Sequence, residues 1–141
     1  MQTPTVSVTD TPEARDIAVI SRGLDEFNEG RAGAGDQRDL AVLVRDPESG
    51  EVLGGLSGRT SLGLLFVDTF HLPSALRGSG LGSEILRAAE DEARRRGCVN
   101  AVLYTLSFQA PDFYRRQGWQ VFGEIPCRPP GTSRVFLTKE L

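Results

Sequence analysis

The sequence predicts one α/β domain of the α+β kind, spanning residues 1–141. Its sheet should be mixed, mostly antiparallel, with about six to seven strands and helices on both faces. Three observations predict this. Apolar periodicity switches along the chain between the strand and helix spacings, in the order β-α-βββ-α-β-α-ββ. The run of three strands contains Asp46-Pro-Glu-Ser-Gly50, turn chemistry that joins antiparallel neighbours. The length of 141 residues, with 39% hydrophobic and 25% charged residues, suits one globular domain with a single core. No repeat or low-complexity stretch interrupts it.

Each element follows from local chemistry. Thr5–Val8 alternates like a short strand. Asp10 or Thr11 can cap a helix with Pro12 in its first turn. That helix carries Ala14, Ile17, Ala18, Ile20 and Leu24 as an apolar stripe. Residues 30–35 read as a loop. Leu40–Arg45 and Glu51–Arg59 read as a hairpin, and Ser61–Leu72 as a third, strongly apolar strand. Gly80–Arg96 is the clearest helix: Leu81, Ile85, Ala88, Ala89 and Ala93 share a face. Glu90 with Arg94, Asp91 with Arg95 and Glu92 with Arg96 are acid-first pairs four apart, which favours the helix and reads as a solvated face. Gly97 is a natural stop. Val99–Leu106 reads as a buried strand and Pro111–Gln117 as a short helix ended by Gly118. Trp119–Ile125 and Arg134–Thr138 are two final strands.

The net charge of -3 gives no electrostatic reason to expect nucleic acid, and no apolar run is long enough to span a bilayer. Residues 1–10 lack the regions of a signal peptide, so the expected location is the cytoplasm. Cys98 and Cys127 form no C-x-x-C pair and read as reduced thiols. With one histidine and two cysteines, no metal site is expected.

The segment from Leu72 to Ser83 joins a strand to the best helix and holds Arg77, Gly78, Gly80 and Gly82. Glycines let backbone approach an anion, and a helix N-terminus offers unpaired N–H groups and partial positive charge. Together they suit a phosphate or pyrophosphate. The dinucleotide fingerprint is absent, because the glycine spacing is wrong and the loop follows a meander. A P-loop needs a lysine here, and the only lysine is Lys139.

Arg77-Gly-Ser-Gly-Leu-Gly82 resembles the R/Q-x-x-G-x-G/A pyrophosphate loop of GNAT acetyltransferases. Ala110-Pro-Asp-Phe113-Tyr114-Arg-Arg-Gln-Gly118-Trp119 resembles that superfamily's A-x-x-F-Y-x-x-x-G-F/W signature. The resemblance extends from about residue 38 to the C-terminus and includes the element order. It implies an N-acetyltransferase that passes the acetyl group of acetyl-CoA to a primary amine by direct attack in a ternary complex. It implies that the Leu72 backbone bonds pantetheine, that the Phe70 N–H stabilises the oxyanion, and that the fourth and fifth strands splay. The pyrophosphate falls to the N–H groups of Arg77, Gly78, Ser79, Gly80, Leu81 and Gly82, with the Ser83 hydroxyl. Phe113 lies beside the cofactor. Tyr114 matches the tyrosine that serves as general acid, since a phenol is protonated at neutral pH. Where the family often has Asn, this chain has Ser107, and Gln109 is the available substitute.

For the general base, Asp68 interrupts an apolar strand two residues before Phe70. Alternation puts both on one sheet face, and a carboxylate there needs a partner such as a cationic amine. His71 is the second candidate, on the opposite face by the same parity. The acceptor wall falls at Leu24–Gly35, with Asp25, Glu26 and Glu29. The acceptor is expected to be a small-molecule amine, with a peptide or protein amine less favoured. A homodimer follows from the resemblance alone. The alternatives are a non-catalytic acyl-CoA-binding sensor or interaction module, and an acyltransferase of charged tRNA, against which the acidic balance weighs.

Overall fold

The computed structural model describes residues 2–141, which form two compact units, one ending at residue 35 and the other spanning 36–141. The first unit holds helix α1 (Ala14–Ala32), longer than its apolar stripe predicts and closed by Gly33. Its N-cap is Glu13, while the Thr11 N–H is taken by the Thr9 hydroxyl at 3.0 Å. Thr5–Val8 forms no strand, contrary to the alternation. Val6 and Val8 are exposed and the segment pairs with no neighbour among the described residues, without which an extended tetrapeptide gains little.

The second unit contains β1 (Arg38–Arg45), β2 (Val52–Ser61), β3 (Leu64–His71), α2 (Leu81–Arg95), β4 (Asn100–Leu106), α3 (Pro111–Arg116), β5 (Gln120–Pro126) and β6 (Ser133–Glu140). A single 3-10 turn, Ser74–Leu76, links β3 to the glycine loop. The six strands lie in the order β1-β2-β3-β4-β6-β5, parallel only between β3 and β4. The β1–β2 turn forms as its residues predict: the Asp46 carboxylate accepts the N–H groups of Glu48 and Ser49 at 2.8 and 2.9 Å. Those backbone bonds hold the Asp46 carboxyl below its usual range.

One core organises this unit. Leu40, Leu56, Leu65, Leu103, Val135 and Leu137 supply one face of the sheet, and Ile85, Leu86, Ala89 and Ala93 of α2 close over it. Burying a leucine such as Leu65, Leu86 or Leu137 contributes about 2 kcal/mol each. Among the described residues no helix is long and apolar enough to cross a membrane.

Candidate active site

The site begins with a miscount in β3. Cross-strand partners share a sheet face. Leu56 faces Phe70, Gly58 faces Val67 and Thr60 faces Leu65, all on the core side. Gly55 with His71, Ser57 with Thr69 and Arg59 with Phe66 lie on the opposite face. Asp68 is the extra residue, because the register shifts between Ser57 and Gly58. Such a bulge resets alternation by one residue. Gly58 is needed opposite it: a Cβ there would collide with the Phe66 carbonyl.

The bulge overturns the parity argument. Asp68 and Phe70 do not share a face. The Phe70 ring turns toward the core and meets Phe113 and Tyr114 edge-on, at 6.0 and 6.4 Å between centroids. Asp68 turns the other way and binds Arg59, Oδ1 to Nη1, at 2.8 Å, while the Arg59 guanidinium lies 4.2 Å from the centre of the Phe66 ring. The partner that this carboxylate requires is therefore Arg59. His71 joins Asp68 on that face instead of opposing it.

The same region opens the sheet. The β3–β4 ladder covers only Leu64–Phe66 against Asn100–Val102. Beyond it the strands part, and the β3 edge facing β4 has no strand to pair with. The gap is a cleft of about 930 Å³ lined from both sheet faces. On the helix side it meets Leu72, the glycine loop, Phe113, Tyr114 and Gln117; on the opposite side it meets Asp68, His71, Tyr104 and Arg134.

The helix-side mouth is mostly backbone. Gly78 and Gly80 have φ of +80° and +85°, and the space where a Cβ would stand is open at both. Gly80 immediately precedes α2, whose N-terminus has no side-chain cap. Its first N–H groups are therefore available to a ligand. Gly82 packs against the Phe113 ring, and the Ser83 hydroxyl accepts from Gln117 Nε2 at 2.8 Å, tying α2 to the end of α3. Arg77 Nε donates to the Leu72 carbonyl at 2.8 Å, which braces the loop and occupies part of the backbone expected to serve pantetheine.

Among the residues singled out from sequence, Asp68, Phe70, Leu72, Arg77, Gly78, Gly80, Gly82, Ser83, Gln109, Phe113 and Tyr114 line the cleft, and Ser79, Leu81 and Ser107 do not. The Ser79 hydroxyl donates to the Leu76 carbonyl at 3.2 Å. Ser107 closes the end of β4 onto β6, its hydroxyl accepting the Ser133 N–H at 3.0 Å. Gln109 Oε1 accepts from the Thr105 hydroxyl and the Leu106 N–H at 2.7 and 2.8 Å, which leaves its amide nitrogen for other partners. Asp25, Glu26 and Glu29 are exposed on α1.

Tyr114 is buried among Phe70, Phe113 and Trp119, and its hydroxyl pairs with no described residue. Burial pushes its phenol up to about 12, so it stays protonated across the neutral range. Behind it lies a network that the charge pattern conceals. Glu90 is not on a solvated face: at 1% exposure it accepts from Lys139 Nζ at 2.6 Å and Trp119 Nε1 at 3.2 Å. Lys139 also donates to the Gln117 carbonyl at 2.8 Å. Removing one member of such a buried pair costs about 3–5 kcal/mol. The buried face of α2 runs through Ile85, Leu86, Ala89, Glu90 and Ala93, so it includes Leu86 and Glu90, which the apolar stripe read from the sequence left out.

Among the described residues no group of three or more His, Cys, Asp or Glu side chains could hold a metal ion. A model of the acetyltransferase (GNAT) family matches residues 10–119. An acetyltransferase of Agrobacterium fabrum is 35% identical over 132 residues, covering 94% of this chain and 96% of its own. A blasticidin-S acetyltransferase of Streptomyces morookaense is 42% identical over 95 residues, covering 67% and 70%. A crystal structure described as an acetyltransferase from Agrobacterium tumefaciens superposes with a TM-score of 0.90 at 33% identity, covering 98% of this chain and 100% of that one.

Proposed function

This chain belongs to the acetyltransferase (GNAT) family, and from that premise we propose that it transfers the acetyl group of acetyl-CoA to a primary amine of a small molecule. The observation that carries this is the cleft through the sheet, with an anion-binding loop at one mouth and titratable side chains at the other. Acetyl-CoA fits the helix side. The N–H groups of Gly78–Gly82 suit a pyrophosphate, and the unpaired edge of β3 suits an extended amide-bearing arm laid along it as an added strand. Acetyl-CoA supplies an acyl group activated as its thioester.

The chain's own residues do the rest. Backbone N–H at Phe70 donates to the developing oxyanion. Tyr114, protonated because it is buried, donates its proton to the departing thiolate. The amine enters from the opposite face, where Asp68 and His71 sit together. Arg59 holds one oxygen of Asp68, and the other is left to take the amine's proton directly or through water. The name of the Streptomyces relative supports a small-molecule acceptor. The non-catalytic sensor reading gives way, since the relatives named above are acetyltransferases.

Calorimetric titration with acetyl-CoA, with dephospho-CoA and NAD as controls, tests the donor. Saturable binding of acetyl-CoA is expected, followed by thiol release in the presence of an accepted amine. Absence of binding would remove acetyl-CoA from the reaction.

A further inference from the structure

Charge at the opposite mouth is not what a polycationic acceptor requires. Among the described residues Asp68 is the only carboxylate lining the cleft, and Arg59 already holds it at 2.8 Å. Arg134 stands in the same wall, opposite Leu106 in the β4–β6 ladder where β4 leaves the sheet. It pairs with no carboxylate among the described residues. Its guanidinium lies 5.7 Å from the centre of the Tyr104 ring, and Phe136 braces that ring from 5.5 Å. A guanidinium at this distance is attracted to the ring face, and its N–H groups remain free to bond. Within the unit spanning 36–141, Arg134 is therefore an uncompensated charge at this mouth.

Like charges brought into a cleft repel, so a second cation on the acceptor is disfavoured here. A carboxylate matches the planar fork of arginine through two parallel hydrogen bonds. We propose, resting on the acetyl-transfer reading above, that the acceptor is an amine that also bears a carboxylate, and that Arg134 binds this carboxylate while the amine faces Asp68.

The test measures thiol release from acetyl-CoA with acceptors in matched pairs, each an amino acid and its carboxamide, with a polyamine alongside. The acid of at least one pair should be used with kcat/KM about tenfold above its amide, the worth of a charge-assisted hydrogen bond. Arg134→Gln should erase most of that ratio through KM, and Arg134→Lys should keep part of it. Arg128→Gln, on the exposed loop after β5, should retain the full ratio. Equal use of acid and amide, preference for the polyamine, or a ratio that survives Arg134→Gln overturns the carboxylate assignment and leaves acetyl transfer standing. Failure to bind acetyl-CoA removes the donor reading and this inference with it.

Discussion

The two mouths of the cleft are built differently. The helix-side mouth is one continuous stretch, Leu72 to Ser83, whose glycines and helix N-terminus present backbone to a ligand. The opposite mouth gathers Asp68, His71, Tyr104 and Arg134 from three strands, placed by a bulge in β3 and by the pairing of β4 with β6. A mouth made of backbone from one segment tolerates little change, because each substitution adds atoms where the ligand must come. A mouth made of side chains from separate strands can change one residue and keep the others.

The comparison breaks first at the loop. Gly80→Val places a β-branched residue at a φ of +85° and a Cβ in the open space of the loop. Affinity for acetyl-CoA should fall on the order of a thousandfold by calorimetry, near 4 kcal/mol, while circular dichroism shows the fold retained. Unchanged affinity would mean that the pyrophosphate lies elsewhere.

Tyr114 sits between the mouths and should separate binding from chemistry. Tyr114→Phe should lower kcat about a hundredfold, with acetyl-CoA affinity little changed. With the wild-type phenol at about 12, the proton donor is present below that value and lost only above it. The kcat profile should therefore show no alkaline fall from Tyr114 below pH about 10; an alkaline fall near neutrality that vanishes in Tyr114→Phe would refute the burial argument.

At the opposite mouth effects should be graded. Asp68→Asn should reduce kcat/KM about a hundredfold. An unchanged kcat/KM would pass the base role to His71 on the same face. The smallest effect tests the edge of the helix-side mouth. Ser107→Ala removes a hydroxyl committed to the Ser133 N–H, so acetyl-CoA affinity should stay within about twofold. A larger loss would restore Ser107 to the cofactor.

How far each mouth could be read from the sequence follows from the range of the interactions. The glycine loop and the start of α2 were legible because strand, glycines and amphipathic helix are adjacent in the chain. Tyr114 was legible through a short signature. Asp68 was found as a polar residue in an apolar strand, but its direction was misjudged. Counting by twos assumes an unbroken ladder, and the register shift opposite Gly58 is a property of two strands together. The bond that Ser107 makes to Ser133 could not be read locally, because its partner is 26 residues away. Arg134 and Tyr104 gave no local signal at all.

The order of elements, the glycine loop, the phenol and the family resemblance could all be read along the chain, since periodicity, turn chemistry and helix-end chemistry act within about ten residues. Folding in three dimensions fixes which side of the sheet Asp68 and His71 face, that Glu90 is buried against Lys139 and Trp119, and that Arg134 reaches the cleft without a carboxylate partner among the described residues. Those outcomes depend on strand register and on packing between distant segments. A single displaced residue in a ladder exchanges one face for the other.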